Sequence, residues 1–339
     1  MINPVTFLDT VLVPHQAFTD AQERLEVFLA AAPTLIEPEC FALLGPSGSG
    51  KSRLLETICM SHQRVRDSEG LNIPIIRVSV PSKPTIKGLG DLILKNIDPG
   101  DQRRYTENEM TRRIQTLMRN CGTRMLMLDE FQHFYDKQSH AVQHHVADWL
   151  KILVDSVRCI LVVSGLPECT AVISQNPQLR RRFRAPLRLP QFSWLDQAQQ
   201  REFRNCLGAF YKVLKPEIDL PNLRDDLWAF RCYCATGGLI GYMKKLLSEV
   251  LIGAAVKEKK KQSHLDAFTD AYNLFLYNFD NLPASQLNPF DANLLLEWSP
   301  QVANHVEMIG KAVPLWGDSS PARTERKRSR VPSNRRPES

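Results

Sequence analysis

Along the first 190 residues, short apolar runs alternate with stretches whose apolar positions recur at helical spacing. The runs lie at residues 40–44, 73–80, 124–128 and 159–164, with a weaker one at 186–189. Between them, residues 51–61, 108–119, 141–154 and 168–175 have the helical period. A strand that is apolar almost throughout, not at every second position, is buried on both faces, and intervening helices supply the covering layers. The pattern therefore predicts an α/β core: a parallel sheet covered by helices. Ahead of it, Thr19 with Gln22 three residues on predicts a capped helix from 19 to about 32, stopped by Pro33 and Pro38.

After Pro190 the strand pattern ends. Residues 196–214, 223–235, 241–258 and about 265–278 read as helices, a small all-helical lid behind the core. From Phe279 the chain is rich in Pro and Asn, apart from an apolar patch at 294–298, and beyond Gly317 it lacks the apolar residues to bury itself. The expected division is an N-terminal segment with a helix (1–38), the α/β core (39–192), the helical lid (193–278), a partly ordered extension (279–316) and a disordered basic tail (317–339).

Charge sharpens this picture. The net charge is +6, but residues 321–339 hold seven Arg and Lys against Glu325 and Glu338, so the rest of the chain carries only about +1. Any nucleic-acid surface on the folded body must be a local patch. No apolar run reaches the length of a membrane span, and the opening MINPVTFLDT has no basic start ahead of an apolar stretch, so neither a span nor a secretory leader is expected. Eight scattered cysteines without a CxxC pair read as free thiols in a reducing, bacterial-type cytoplasm. His140 and His144 lie one helical turn apart beside His145, without a third ligand in a recognised zinc pattern.

The chemistry starts after the first strand. Gly45-Pro46-Ser47-Gly48-Ser49-Gly50-Lys51-Ser52 satisfies GxxxxGK[ST], with an apolar strand before it and a helix after it. Such a loop turns its backbone N–H groups to phosphates, and the following helix adds its positive end. Lys51 would reach the β- and γ-phosphates of ATP, and the Ser52 hydroxyl would complete the shell of a Mg²⁺ ion. Asp129 and Glu130 follow the third apolar run: Asp129 suits the ion, directly or through water, and Glu130 suits the attacking water. Acidic residues here could merely cap the next helix, but that explains neither the pair nor the loop upstream. Ser164 closes the fourth run, where a hydroxyl can sense the γ-phosphate or simply start a turn. Arg180-Arg181-Arg182 precede Phe183. Crowded guanidinium groups suit an arginine finger that reaches a neighbouring subunit's γ-phosphate, the alternative being a solvated basic corner.

With these residues in place, the chain resembles the TniB/TnsC family of AAA+ ATPases that regulate DDE-transposase transposons. The likeness rests on Ile73-Pro-Ile with Pro81-Ser-Lys-Pro84, on Gly122 through Glu130, on residues 176–183 and on Thr236-Gly-Gly-Leu-Ile-Gly241, and it spans about residues 15–275. The resemblance implies a homo-oligomer, ring or filament, assembled with ATP around duplex DNA. It marks a target for a DDE transposase and a selector such as a TniQ/TnsD-like factor, and hydrolysis dismantles it. By the family pattern Arg182 matches the finger, and Lys87 and Thr106 match the pore positions. Lys83, Arg103 and Arg104 add charge suited to phosphates, although Thr106 with Glu109 is also a capping box that needs no DNA. The lid segment carries Leu239-Ile240-Gly241 where other AAA+ lids hold an arginine, and the last 60 or so residues fall outside the resemblance. A helicase loader of the IstB/DnaC kind and a signalling NTPase scaffold without a DNA role stay open as alternatives.

Overall fold

A computed structural model describes residues 6–311, apart from 69, 102, 137–139, 257–262, 277–286 and 295. The expected tail at 317–339 lies outside the described residues. After a 3₁₀ turn at Phe7–Thr10, the elements in chain order are α1 (Gln16–Ala31), β1 (Cys40–Leu44), α2 (Lys51–Ser61), β2 (Val65–Asp67), β3 (Gly70–Asn72) and β4 (Ile75–Ser79). Then come α3 (Ile86–Ile97), α4 (Glu107–Asn120), β5 (Met125–Asp129), α5 (His133–Asp136), α6 (His140–Val157) and β6 (Ile160–Gly165). They are followed by α7 (Thr170–Ile173), α8 (Pro177–Arg180), β7 (Leu187–Arg188), α9 (Gln197–Leu214), α10 (Asp226–Thr236), α11 (Ile240–Val256), α12 (His264–Leu276) and α13 (Pro300–Lys311).

The main sheet has the order β4-β5-β6-β1-β7 and every pairing in it is parallel. Successive side chains leave a strand on opposite faces, and the core divides accordingly. Cys40, Ala42, Leu44, Leu126, Leu128, Leu161 and Val163 join one cluster with α3, α4 and α6. Phe41, Leu43, Met125, Met127, Ile160 and Val162 join the other with α1 and α2. This is the covered parallel sheet expected from the apolar runs. A third cluster unites α9, α10 and α11 with Phe268 and Tyr272 of α12 and with Val302, Val306 and Ile309 of α13. Leu8 and Val13, from the N-terminal segment, are buried in it as well.

Several expected boundaries move. The first helix starts at Gln16, not Thr19, because the His15 ring accepts the Phe18 N–H at 3.4 Å and caps it three residues earlier. The Thr19 N–H is already bonded to the His15 carbonyl. The helix expected at 168–175 is a 3₁₀ turn (Pro167–Cys169) and the single turn α7; it stops before Asn176, which precedes Pro177 and caps α8. The small β2–β3 hairpin, α3 and α13 had no counterpart in the pattern. Each of the eight cysteines is free and seven are buried, which fits the small-hydrophobe reading. His144 pairs with Asp148 and His145 with Glu107, and among the described residues no three or more His, Cys, Asp or Glu side chains gather as a metal-ligand group. No helix among them is long and apolar enough to cross a membrane.

Candidate nucleotide site

The C-terminal edge of a parallel sheet is where strands hand over to helix N-termini, and there the expected residues meet. Residues 45–50 leave β1 and turn into α2, with Gly48 (φ 77°) and Gly50 (φ 96°) in the left-handed region. Lys51 is buried; its ammonium donates to the carbonyls of Gly45 and Pro46, both at 2.8 Å. Burial lowers its pKa, and the charges of Glu130 and Asp129 oppose that shift. Ser52, next on the helix, is exposed within the cavity. Asp129 ends β5 at 2% exposure, and its Oδ1 accepts the Glu130 N–H. Glu130 has φ 56°, a conformation that costs energy outside glycine and is held here by the Phe131 N–H on the Ser164 carbonyl at 2.9 Å.

Ser164 and Ser49 are both buried, and neither Oγ has a hydrogen-bond partner. Buried hydroxyls are rarely left unpaired, since each orphan costs about 1–3 kcal/mol. Two of them beside a phosphate-binding loop fit a ligand rich in acceptor oxygens. Ser52 and Asp129 are hard oxygen donors of the kind Mg²⁺ takes.

A cavity of about 650 Å³ joins the phosphate loop and Glu130 to the lid. It is lined by residues 47–53 and Glu130, by Val11, Leu12, Val13 and His15 of the N-terminal segment, by Phe210, and by Ile240, Gly241, Lys244 and Lys245 of α11. The Gly241 N–H donates to the Gly48 carbonyl at 2.8 Å, a methyl at Gly241 would stand 2.7 Å from that oxygen, and the Tyr242 ring covers Gly48. Only glycine lets α11 come that close to the loop. Lys244 is tied to Asp9 at 2.6 Å. The apolar N-terminal segment and the polar loop thus offer one end for a base and the other for phosphates.

A family model described as the bacterial TniB protein matches residues 8–194, more than half of the chain. The chain belongs to the TniB family. No curated protein matches it. Among solved structures, it is similar to Cdc6p from Pyrobaculum aerophilum (TM-score 0.59, 12% identity, covering 82% of this chain and 73% of that one). It is also similar to the ORC2 protein of Aeropyrum pernix in its ADPNP–ADP complexes (0.56, 13%, 80% and 71%) and to the ORC1 protein of that organism in complex with DNA (0.55, 15%, 81% and 71%). At such identities the likeness speaks for the fold, which is that of an AAA+ core with a helical lid.

In this TniB-family chain the remaining expected residues occupy two other places. Arg182 is 11% exposed at the side chain and pairs with Asp155 at 2.8 Å and Glu37 at 3.5 Å, both in its own chain. Arg180 and Arg181 are exposed beside it. Lys83 and Lys87 are exposed before and on the first turn of α3, and Arg103 and Arg104 are exposed in the α3–α4 loop. Thr106 caps α4, its hydroxyl donating to Glu109 at 2.7 Å while accepting the Glu109 N–H. This capping holds the Glu109 carboxyl below its ordinary pKa, the backbone N–H of Thr106 being the largest cause.

The motifs did not point to several groups at the nucleotide site. Arg77 of β4 donates to Asp129 Oδ2 at 2.9 Å, and the only hint of it is one charge inside an apolar run. Lys244 and Lys245 place cations of the lid on the cavity although the lid arginine is missing. Gln132, two residues past Glu130, is 7% exposed and hydrogen-bonds it.

Proposed function

We propose that this AAA+ protein hydrolyses ATP with Mg²⁺, oligomerises on duplex DNA and marks a target site for a DDE transposase, hydrolysis driving disassembly. The observation that supports this most directly is that Glu130, the phosphate loop and the lid line one cavity, in a chain of the TniB family. Lys51 holds the phosphates once it exchanges loop carbonyls for phosphate oxygens. Ser52 and Asp129 would hold the ion, which supplies charge neutralisation at the transferring phosphoryl group. Glu130 orients the attacking water, and Ser164 offers a hydroxyl to the γ-phosphate or that water. Gly45 to Ser49 form the cradle, with Pro46 and Ser47 at its turn.

The basic groups Lys83, Lys87, Arg103 and Arg104, with the Thr106 hydroxyl, form the DNA contact in this reading, one that holds phosphates and reads no bases. A selector of the TniQ/TnsD-like kind completes the set of partners. The arginine cluster acts in trans, with Arg182 leaving Asp155 when a neighbour's γ-phosphate arrives. Mixing Arg182→Ala with Lys51→Ala protein should then restore part of the ATPase, because one mixed interface keeps both an intact cradle and an intact finger. Loss of hydrolysis in Arg182→Ala but not in Arg181→Ala, with rescue of the former by mixing, would assign the finger to Arg182, and no rescue with co-assembled mutants would remove the shared site. The whole reading is tested by electron microscopy with duplex DNA and a non-hydrolysable ATP analogue. Ordered assemblies on duplex are expected; a preference for single strands would point to a helicase loader, and no ATP-dependent DNA retention to a signalling scaffold.

A further inference from the structure

Gln132 is a buried amide that none of the nucleotide motifs includes. Its Nε2 donates to a Glu130 carboxylate oxygen, and its Oε1 accepts the Leu166 N–H at 3.3 Å. Because an N–H can only donate, the amide has one orientation: oxygen to Leu166, nitrogen to Glu130. It therefore ties the carboxylate to the exit of β6, whose Ser164 also receives the Phe131 N–H. Gln132 is not part of the cavity wall, whereas Glu130 is. Of the two groups Gln132 bonds, Glu130 is the one on the cavity wall.

Space for the amide is provided by the neighbouring strand. A methyl on Gly165 would stand 2.4 Å from Gln132 Oε1, but 3.2 Å from the Gln132 nitrogen and 3.4 Å from the Phe131 nitrogen. The first distance forces a shift and involves the end of the side chain alone; the other two are tight contacts that need only a few tenths of an ångström of give. An alanine at 165 would thus push the glutamine amide aside, and removing that amide removes the most severe of the three contacts.

We propose that Gln132 is the positioning residue for Glu130, and that Gly165 is the space that allows it to be one. The inference rests on the hydrolytic reading above, in which Glu130 orients the water. A carboxylate in a left-handed backbone conformation, tied at one oxygen, presents the other in a fixed direction, whereas a free one samples several rotamers. Misplacing a catalytic group by about 1 Å can cost up to about 100-fold in rate.

The test uses the full chain with ATP, Mg²⁺ and duplex DNA, and reads turnover, affinity for a fluorescent ATP analogue and thermal unfolding. Gln132→Ala and Gly165→Ala should each lower kcat by about 10- to 100-fold while nucleotide affinity stays within about twofold. In the Gln132→Ala background, Gly165→Ala should cost less than about twofold more, because its methyl has lost the atom it strikes. In the Glu130→Gln background, Gln132→Ala should leave the residual rate unchanged, which a merely structural glutamine would not do. If Gln132→Ala does not fold, Gln132→Asn, which withdraws the amide by one methylene, takes its place with the same expectation. A wild type that hydrolyses ATP while both single variants match its kcat overturns the positioning role and leaves the hydrolytic reading intact. Equal rate losses from Gly165→Ala in both backgrounds also overturn it. A wild type that binds ATP and never turns it over overturns both.

Discussion

The nucleotide cavity and the α3–α4 edge carry charge in opposite ways. Around the phosphate loop, Lys51, Asp129, Ser49 and Ser164 are all less than 9% exposed. At the edge, Lys83, Lys87, Arg103 and Arg104 are exposed, and the one hydroxyl among them, that of Thr106, is already paired within its own helix. Desolvated groups act strongly over short distances, so chemistry needs them fixed beforehand. Exposed cations act weakly and are screened by salt, so a grip made of them gains strength only by repetition along a polyanion. The first arrangement suits one small ligand per protomer. The second suits a long backbone met by many protomers.

Mutations can break that contrast. The largest effect is expected at Glu130: Glu130→Gln should lower kcat by about 100- to 10,000-fold, the range lost with a general base, and leave nucleotide affinity in place. Single-turnover hydrolysis checks it, and DNA-bound assemblies should persist longer. Lys51→Ala comes next. Losing charged hydrogen bonds of about 1.5–3 kcal/mol each should weaken nucleotide binding by about 10- to 100-fold or more, measured by titration with a fluorescent ATP analogue. Both outcomes require the buried arrangement, and comparable rates for Glu130→Gln and wild type would dissolve it.

At the edge, Lys87→Ala with Thr106→Ala should spare ATP binding and lower the salt slope of duplex binding by nearly one unit per lost phosphate contact. Removing residues 317–339 should leave ATP-dependent duplex binding largely intact, with a modest loss at low salt. The reverse result would move the DNA contact to the tail. The smallest effect concerns pH. His305 is buried, and burial lowers its pKa below the ordinary 6.5, so the fold favours the neutral ring. The unfolded chain takes up the proton first, and the stability this histidine contributes is whole above pH 6.5 and declines as pH falls below it. Thermal unfolding between pH 7.5 and 5.5 should show that decline, and His305→Gln should flatten part of it.

Where a residue's partners lie close along the chain, or where a strand is apolar on both faces, the sequence was readable. β1 lies at its expected bounds because both faces of all five residues are buried. The phosphate loop was readable because it is contiguous. α3 contains Gly88 and Gly90, residues of low helix propensity, and Met110 of α4 fills the space a Cβ at Gly90 would take, at 2.3 Å. His15 displaced Thr19 as the first cap through a ring nitrogen, which no hydroxyl pattern signals. Gln132 was out of reach since its meaning depends on Gly165, 33 positions later, and Arg77 since its partner Asp129 is set by the register of β4 on β5, which pairs Ser79 with Asp129. These are facts of tertiary placement.

The bond from the Gly241 N–H to the Gly48 carbonyl gives the protein a built-in gauge. It joins main chain to main chain, so sequence drift in the side chains around it leaves it untouched as long as both positions stay glycine. Its proton can exchange with deuterated water only when α11 lifts from the loop. The exchange rate of that single amide, compared with those in β1, therefore reports the free energy of separating lid from core. Any ligand that holds the two together must slow that exchange, and any partner that releases them must hasten it, whatever the partner is and wherever it binds.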